Sequence, residues 1–303
     1  MTGTTTTTAE LAARLAQAAA SRTGIQALTT TAGPFDVETA YLVQDAVVAD
    51  RTGRGAPVIG AKLGLTSAAK QRQMKVDEPL YGWLTGDMAI DIGQPLECGR
   101  FIQPRCEPEI AFLLGADLAG PYVTGAQVLE ATAVVFPAID VLDSRFSGYS
   151  FTLPDVVADN ASAAGFVLGG LATDPHGIDL RLTGVVLEKN GELIATAAGA
   201  AVLGHPAASV AWLVRALARR GRGLSAGQVV LSGALTEAVA AAPAVYAFMA
   251  LTHYTAGLER GRREPLPVRR VWDPWFTPGL ACLVAIGLAA LALGIATLPW
   301  AHG

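Results

Sequence analysis

The chain has 303 residues, of which 51% are hydrophobic and only 16% charged, with a formal net charge of −4 and a pI near 5.6. That is enough apolar material for one large core or two small ones. The acidic balance, with no basic run interleaved with aromatics, excludes a nucleic-acid-binding surface, and three cysteines without a CxxC pair point to a reducing compartment, not a disulfide framework.

The N-terminus, MTGTTTTTAELAARLAQAAA, has no basic segment ahead of an apolar core. It reads as a Thr-rich start followed by a helix, not as a signal peptide. Apolar periodicity predicts helices over 9–21 and 37–52, joined by a polar Thr/Gly-rich stretch. Residues 57–65, PVIGAKLGL, are expected to form a strand, and TSAAKQRQMKV a short helix capped by Thr66 or Ser67. Residues 78–88, EPLYGWLTGDM, read as a loop. Strands are expected over 100–115 and 132–142, with a helix over 124–132 between them. Residues 151–170 read as a loop leading into a strand, and 180–202 as a hairpin turning at Asn190-Gly191. A helix over 206–221 stops at Gly221, and a buried strand running into a glycine loop follows over 227–235. Many strands, irregularly interrupted by helices, favour an α+β fold over a doubly wound sheet.

The last forty or so residues differ in character. ERGRREPLPVRR is a basic, proline-containing linker, and no charge occurs from Gly279 to Leu298. Twenty helical residues span about 30 Å, the thickness of a hydrocarbon core. Trp272 and Trp275 precede the run and Trp300 follows it, as interfacial aromatics would. Upstream arginines, Arg269 and Arg270 among them, would keep the preceding part in the cytoplasm. The competing reading is a buried helix or a fused tail.

The chemistry centres on QPRCEPEIAFLLG and VVFPAIDVLDSR. Residues i and i+2 of a strand share a face, so Glu107 and Glu109 aim two carboxylates at one point. Like charges that close repel unless something positive lies between them. Mg²⁺ or Mn²⁺ suits an oxygen-only donor set, and Asp140, in a second apolar run, could supply the third oxygen. The bland alternative is three solvated acids at a strand edge. Lys62 lies inside an apolar strand, where lysine is rare unless paired or working; a snorkelling strand-end lysine is the plain alternative. Cys106 fits a small strand residue better than a ligand, because hard cations reject thiolate. His205, between Gly204 and Pro206, suits a structural turn. His176 and His253 have no partner pattern, and HExxH, P-loop and GxSxG motifs are absent.

Several separate stretches, GAKLGLTSAAKQRQMKVDEPLYGWLTGDM, PRCEPEIAFLLG, PAIDVLDSRFSGYSFTLPDVVADNASAAGFVLG, GVVLEKNGELIATAAGAAVLGHPAASVAWL and GQVVLSGALTEAV, resemble in order the hydratase/decarboxylase branch of the fumarylacetoacetate hydrolase superfamily. The resemblance runs from about residue 10 to 240. It implies a mixed β-roll with flanking helices, here followed by a C-terminal apolar helix, and three regions: an N-terminal helical region 1–55, a catalytic domain 56–258, and a basic linker with a membrane-competent tail 259–303. It further implies a Mg²⁺ or Mn²⁺ cofactor and a small 2-oxo acid substrate chelated through its carboxylate and keto oxygens.

Carried over by position, Glu107 and Glu109 match the family's metal ligands, and Asp140 stands where the family usually has glutamate, an arm one methylene shorter. Lys62 matches the active-site lysine, and Ser162 a hydroxyl that contacts substrate. Gly233 and Thr236, in SGALT, match a glycine-rich segment near the substrate carboxylate. Hydratases of the branch usually carry an acid where this chain has Leu80; the decarboxylase version is aliphatic. The implied reaction is therefore decarboxylation of 2-oxo-3-hexenedioate to 2-hydroxypenta-2,4-dienoate in catechol meta-cleavage, with hydration of that dienoate as the alternative. A non-catalytic, membrane-tethered relic is a third reading, because the family's closing GLGSVSVRF strand is missing after residue 240. The resemblance also implies a cytoplasmic homo-oligomer, and a complex with the partner lyase of the pathway.

Overall fold

The computed structural model describes residues 6–189, 192–241 and 247–252, all within one compact unit, Met1–Thr255. Helix α1, Thr8–Ser21, opens on a reciprocal capping box between Thr7 and Glu10. A single turn, α2, Leu28–Thr31, leads to α3, Val37–Gly53, which is capped by Asp36. Strand β1 is Val58–Gly64 and helix α4 Ala68–Met74. Of the two candidate caps, Ser67 is the one used: its hydroxyl accepts from the Lys70 amide.

Residues 78–88 are not a loop. They contain strand β2, Leu80–Thr85, every residue of which is buried, followed by a two-residue strand β3, Ala89–Ile90. Then come β4, Arg105–Leu114, α5, Gly125–Ala131, and β5, Thr132–Leu142. The expected loop over 151–170 also holds a helix, α6, Leu153–Ala158, before β6, Ala163–Leu168. Strands β7, Gly184–Lys189, and β8, Glu192–Ala198, pair with Lys189 opposite Glu192. The turn residues Asn190 and Gly191 lie outside the described residues. Helix α7, Pro206–Ala218, is capped by His205, whose Nδ1 accepts from the Ala207 amide, so this histidine does hold a turn. Gly221 takes the left-handed conformation that ends the helix. Three short strands follow: β9, Val229–Leu231, β10, Val239–Ala240, and β11, Ala247–Thr252.

Sheet order is β2-β1-β9-β4-β5-β6-β3, with β10 also on β4; β11, β7 and β8 form a second sheet. The β1–β9 and β3–β6 pairs are parallel and the others antiparallel. This is the mixed, curled sheet of an α+β fold. Strand β11 covers the edge of β7 along its whole length, so a strand does follow residue 240. The proposed tail, including Gly279–Leu298, and His253 lie outside the described residues.

Alternation divides the large sheet. Ala61, Leu63, Ile110, Phe112 and Leu114 join α7 in the largest apolar cluster. Ala111, Ala138, Phe166 and Leu231 lie on the other face with Leu84 and Met88. A third cluster packs α1, α3 and α6 together with Leu80. The helix running up to Ala218 is apolar and long enough to cross a membrane, but more than half of its apolar window is buried in the domain. It is a core helix.

Candidate active site

Pairing register converts the sequence pattern into a site. In β4 and β5, Glu107 stands opposite Asp140, and Glu109 opposite Ala138. Lys62 of β1 stands opposite Leu231 of β9, which in turn stands opposite Ala111 of β4. Directly paired residues share a face. The three carboxylates and Lys62 therefore converge on the face whose apolar floor is Ala111, Ala138, Phe166 and Leu231. Carboxylate oxygens of Glu107, Glu109 and Asp140 lie within 4.8 Å of one another, all buried.

Each acid has a different partner. Asp140 Oδ2 is ion-paired with Lys62 Nζ, and both side chains are almost fully enclosed. Glu109 Oε2 accepts from the Gly233 amide at 2.6 Å. Glu107 Oε1 receives Lys70 Nζ at 2.6 Å. Among the described residues, Glu109 Oε1 and Asp140 Oδ1 are buried without a hydrogen-bond partner. Burial and the charge of Asp140 push the Glu109 carboxyl well above the ordinary value of 4.5. Burial also raises the Asp140 carboxyl, against the pull of Lys62. Cys106 is buried beside the acids, and burial raises its thiol to about 11; it packs as a strand residue.

The backbone around the acids is shaped for this approach. Pro108 has no N–H, and the β4 edge beside it is taken by the loop after β9, where the Leu235 amide bonds the Pro108 carbonyl. Gly233 sits at φ +111°, and a Cβ there would collide with the Thr66 side chain. The loop thus brings a backbone N–H onto Glu109 at a place only glycine can occupy.

Ser162 is buried, but its hydroxyl reaches only Asp159, at 3.5 Å. It ends a run of three left-handed residues, Asn160, Ala161 and Ser162, at φ 50°, 54° and 55°. Each such residue costs roughly 1–2 kcal/mol, so other contacts must hold the run. Asn160 bonds both the N–H and the carbonyl of Trp83. Gly82 leaves room for the run, since a Cβ there would lie 2.5 Å from the Asn160 carbonyl oxygen. The buried Arg145–Asp159 ion pair fixes its near end, and burial still lifts the Asp159 carboxyl to about 6.

Not every expected residue joins the cluster. The Thr236 hydroxyl bonds the Glu237 carbonyl, near the surface. Leu80 is on the same face as Lys62, opposite Gly64, but it packs into the N-terminal apolar cluster. Lys70 is the charged member that sequence reasoning missed. Its only signal was a place three residues after a cap, which says nothing about a partner on another strand. An open cavity of about 510 Å³, lined by Asp45, Val48, Trp83 and Arg222 among others, holds none of these residues.

No family model matches the sequence. The chain is 46% identical over 204 residues to the 4-oxalocrotonate decarboxylase of Pseudomonas sp. (strain CF600), an alignment covering 67% of this chain and 77% of that protein. It is 41% identical over 234 residues to the 2-keto-4-pentenoate hydratase of Paraburkholderia xenovorans (strain LB400), covering 77% of this chain and 87% of that protein. Among solved structures, 4-oxalocrotonate decarboxylase from Pseudomonas putida G7, complexed with magnesium and adipate, matches with a TM-score of 0.76 at 39% identity, over 78% of this chain and 90% of that one.

Proposed function

The chain belongs to the hydratase/decarboxylase branch of the fumarylacetoacetate hydrolase superfamily, and on that premise we propose that it decarboxylates 2-oxo-3-hexenedioate (4-oxalocrotonate) to 2-hydroxypenta-2,4-dienoate in a reaction that depends on a divalent cation. The observation that carries this reading is the pair of buried, partnerless oxygens, Glu109 Oε1 and Asp140 Oδ1, beside Glu107. Such oxygens are costly to bury unsatisfied, and Mg²⁺ or Mn²⁺ is what an all-oxygen donor set selects.

We assign Glu107, Glu109 and Asp140 to hold the cation. The place of Asp140 directly opposite Glu107 supports direct ligation despite its shorter arm. When bound, the cation would hold the 1-carboxylate and 2-oxo oxygens of the substrate and offset charge growing on the latter. The C5–C6 bond breaks, its electron pair moves through the conjugated chain to the 2-oxo oxygen, and CO₂ leaves. The resulting dienolate takes up a proton to give the product. Lys62 places a fixed positive charge on this face, where it stabilises the dienolate. The Gly233 amide fixes Glu109. Ser162, Gly233 and Thr236 are assigned to the substrate, Thr236 exchanging its bond to the Glu237 carbonyl for a substrate carboxylate.

Leu80 favours decarboxylation over hydration. Its surroundings are apolar, with no acid at this position to move protons to and from a dienol. The hydratase reading keeps the same cation and the same lysine, and the likeness to 2-keto-4-pentenoate hydratase supports it. One assay separates the readings. Loss of the 4-oxalocrotonate ultraviolet band with CO₂ release, abolished by chelator, is expected. Turnover of the dienoate alone would make the chain a hydratase, and no turnover of either would make it a relic.

The pH dependence of cation binding has a definite sign. The raised Glu109 carboxyl holds its proton in the cation-free protein well above the ordinary glutamate range, and ligation requires it ionised. Mg²⁺ binding should therefore release protons, and affinity should rise with pH, as calorimetry in buffers of different ionisation enthalpy will report. The same raised carboxyl contributes stability to the cation-free protein below pH 4.5, and this is lost as pH rises through the folded-state value.

The reading extends to a cytoplasmic homo-oligomer, in contact with the partner lyase of its pathway and with a membrane through residues 279–298. The charge-free run and its flanking tryptophans support the last of these. We keep 1–55, 56–258 and 259–303 as the working division of the chain.

A further inference from the structure

Lys70 is the charged member of the cluster that the proposed chemistry leaves without a task. It stands on the first turn of α4, and its ammonium is 2.6 Å from Glu107 Oε1. Its side chain is 27% exposed, whereas that of Lys62 is 2% exposed and tied to Asp140. Lys70 therefore bounds the cluster on its solvent side, from which a substrate arrives.

Charge counting gives it a role. With all groups ionised, Glu107, Glu109 and Asp140 against Lys62 and Lys70 leave one net negative charge. A divalent cation turns that into one net positive charge, but without Lys70 the loaded site would only be neutral. A diacid substrate brings two negative charges, and its second carboxylate lies beyond the atoms that a cation chelates.

We propose that Lys70 is a specificity-determining residue: it gives up Glu107 when a divalent cation takes that carboxylate, and its ammonium then receives the distal carboxylate of a six-carbon 2-oxo diacid. An ammonium suits this exchange, being a compact charge on a flexible four-carbon stem. The distal carboxylate is the group that leaves as CO₂, so Lys70 selects the substrate that has one to lose. A mono-acid dienoate, the substrate of the hydratase reading, has nothing to offer it. The inference rests on the cation-dependent reading above.

The test is calorimetry on the full-length protein and its Lys70→Met and Lys70→Arg variants. Mg²⁺ is titrated first. At saturating Mg²⁺, 2-oxoadipate, the saturated analogue of the substrate, is then compared with 2-oxohexanoate, which lacks only the distal carboxylate. The wild type should bind the diacid roughly tenfold more tightly, the scale of one charge-assisted contact. Lys70→Met should bind the two about equally, and should bind Mg²⁺ at least as tightly as the wild type, because no ammonium competes for Glu107. That Mg²⁺ binding also shows the variant to be folded. Lys70→Arg keeps the charge and should keep most of the preference. An undiminished preference for the diacid in Lys70→Met, or a loss of its Mg²⁺ affinity, overturns the inference while leaving the cation reading intact. Failure of the wild type to bind Mg²⁺ overturns both.

Discussion

Glu109→Gln should abolish turnover and divalent-cation binding together while leaving the cation-free protein as stable as before or more so. Glu109 is fully buried, and the neighbouring charge of Asp140 disfavours its ionised form. A glutamine keeps the shape and keeps an oxygen to accept from the Gly233 amide, and it stands in for the protonated, neutral carboxyl that burial and Asp140 favour in the cation-free protein. It removes the cost of ionising a buried acid there, so the cation-free fold loses nothing and gains wherever Glu109 would otherwise ionise. The same change deletes a ligand charge, so kcat should fall on the order of 10³-fold or more, about 4 kcal/mol of transition-state stabilisation. A thermal melt without added metal and a Mg²⁺ titration read the two effects separately. Undiminished turnover in this variant would end the proposal that these acids hold a catalytic cation.

Lys62→Met is expected to have a comparable effect on rate by a different route. Removing one member of a buried ion pair costs about 3–5 kcal/mol if the other stays charged. Asp140 has an escape: burial already raises its carboxyl against the opposing pull of Lys62, so without Lys62 it takes up a proton. Part of the stability loss is thereby avoided, but a protonated Asp140 is a poor ligand, and the charge opposite the dienolate is gone. Two variants separate structure from chemistry. Lys62→Met alone should melt lower than the wild type. Lys62→Met combined with Asp140→Asn should recover much of that loss, because neither partner is left charged, and should remain inactive. Recovery of turnover in the double variant would mean that Lys62 serves the fold alone.

The parts of this site that could be read in the sequence are those set by period-two alternation. Glu107, Glu109 and Asp140 lie in long strands whose apolar neighbours fix which side faces inward, and the Glu107–Asp140 pairing follows once those strands meet. What stayed hidden depends on distant backbone. EPLYGWLTGDM looks like turn chemistry because of Pro79 and Gly82, yet Gly82 is there to admit the Asn160 carbonyl to a buried strand. Helix α6 is only six residues long and shows little periodicity, though Thr152 and Asp155 do form a capping box with Pro154 in the first turn. No local pattern announces three left-handed residues ending at Ser162, since none of them is glycine. The partners of Lys62 and Lys70 likewise lie on strands 78 and 37 positions away.

The order in which chain contacts can form bears on how this site is assembled. Strands β4 and β5 are antiparallel neighbours in sequence, so their pairing closes a short loop and brings Glu107 against Asp140 early. Lys62 is held by a parallel pairing of β1 with β9, register-matched at Leu231, which closes a loop several times longer and so forms more slowly. During folding, the carboxylates therefore meet before their deepest counter-charge arrives. Protons or divalent ions in the medium can fill that interval, and the nascent chain has reason to fold differently in their presence than in their absence.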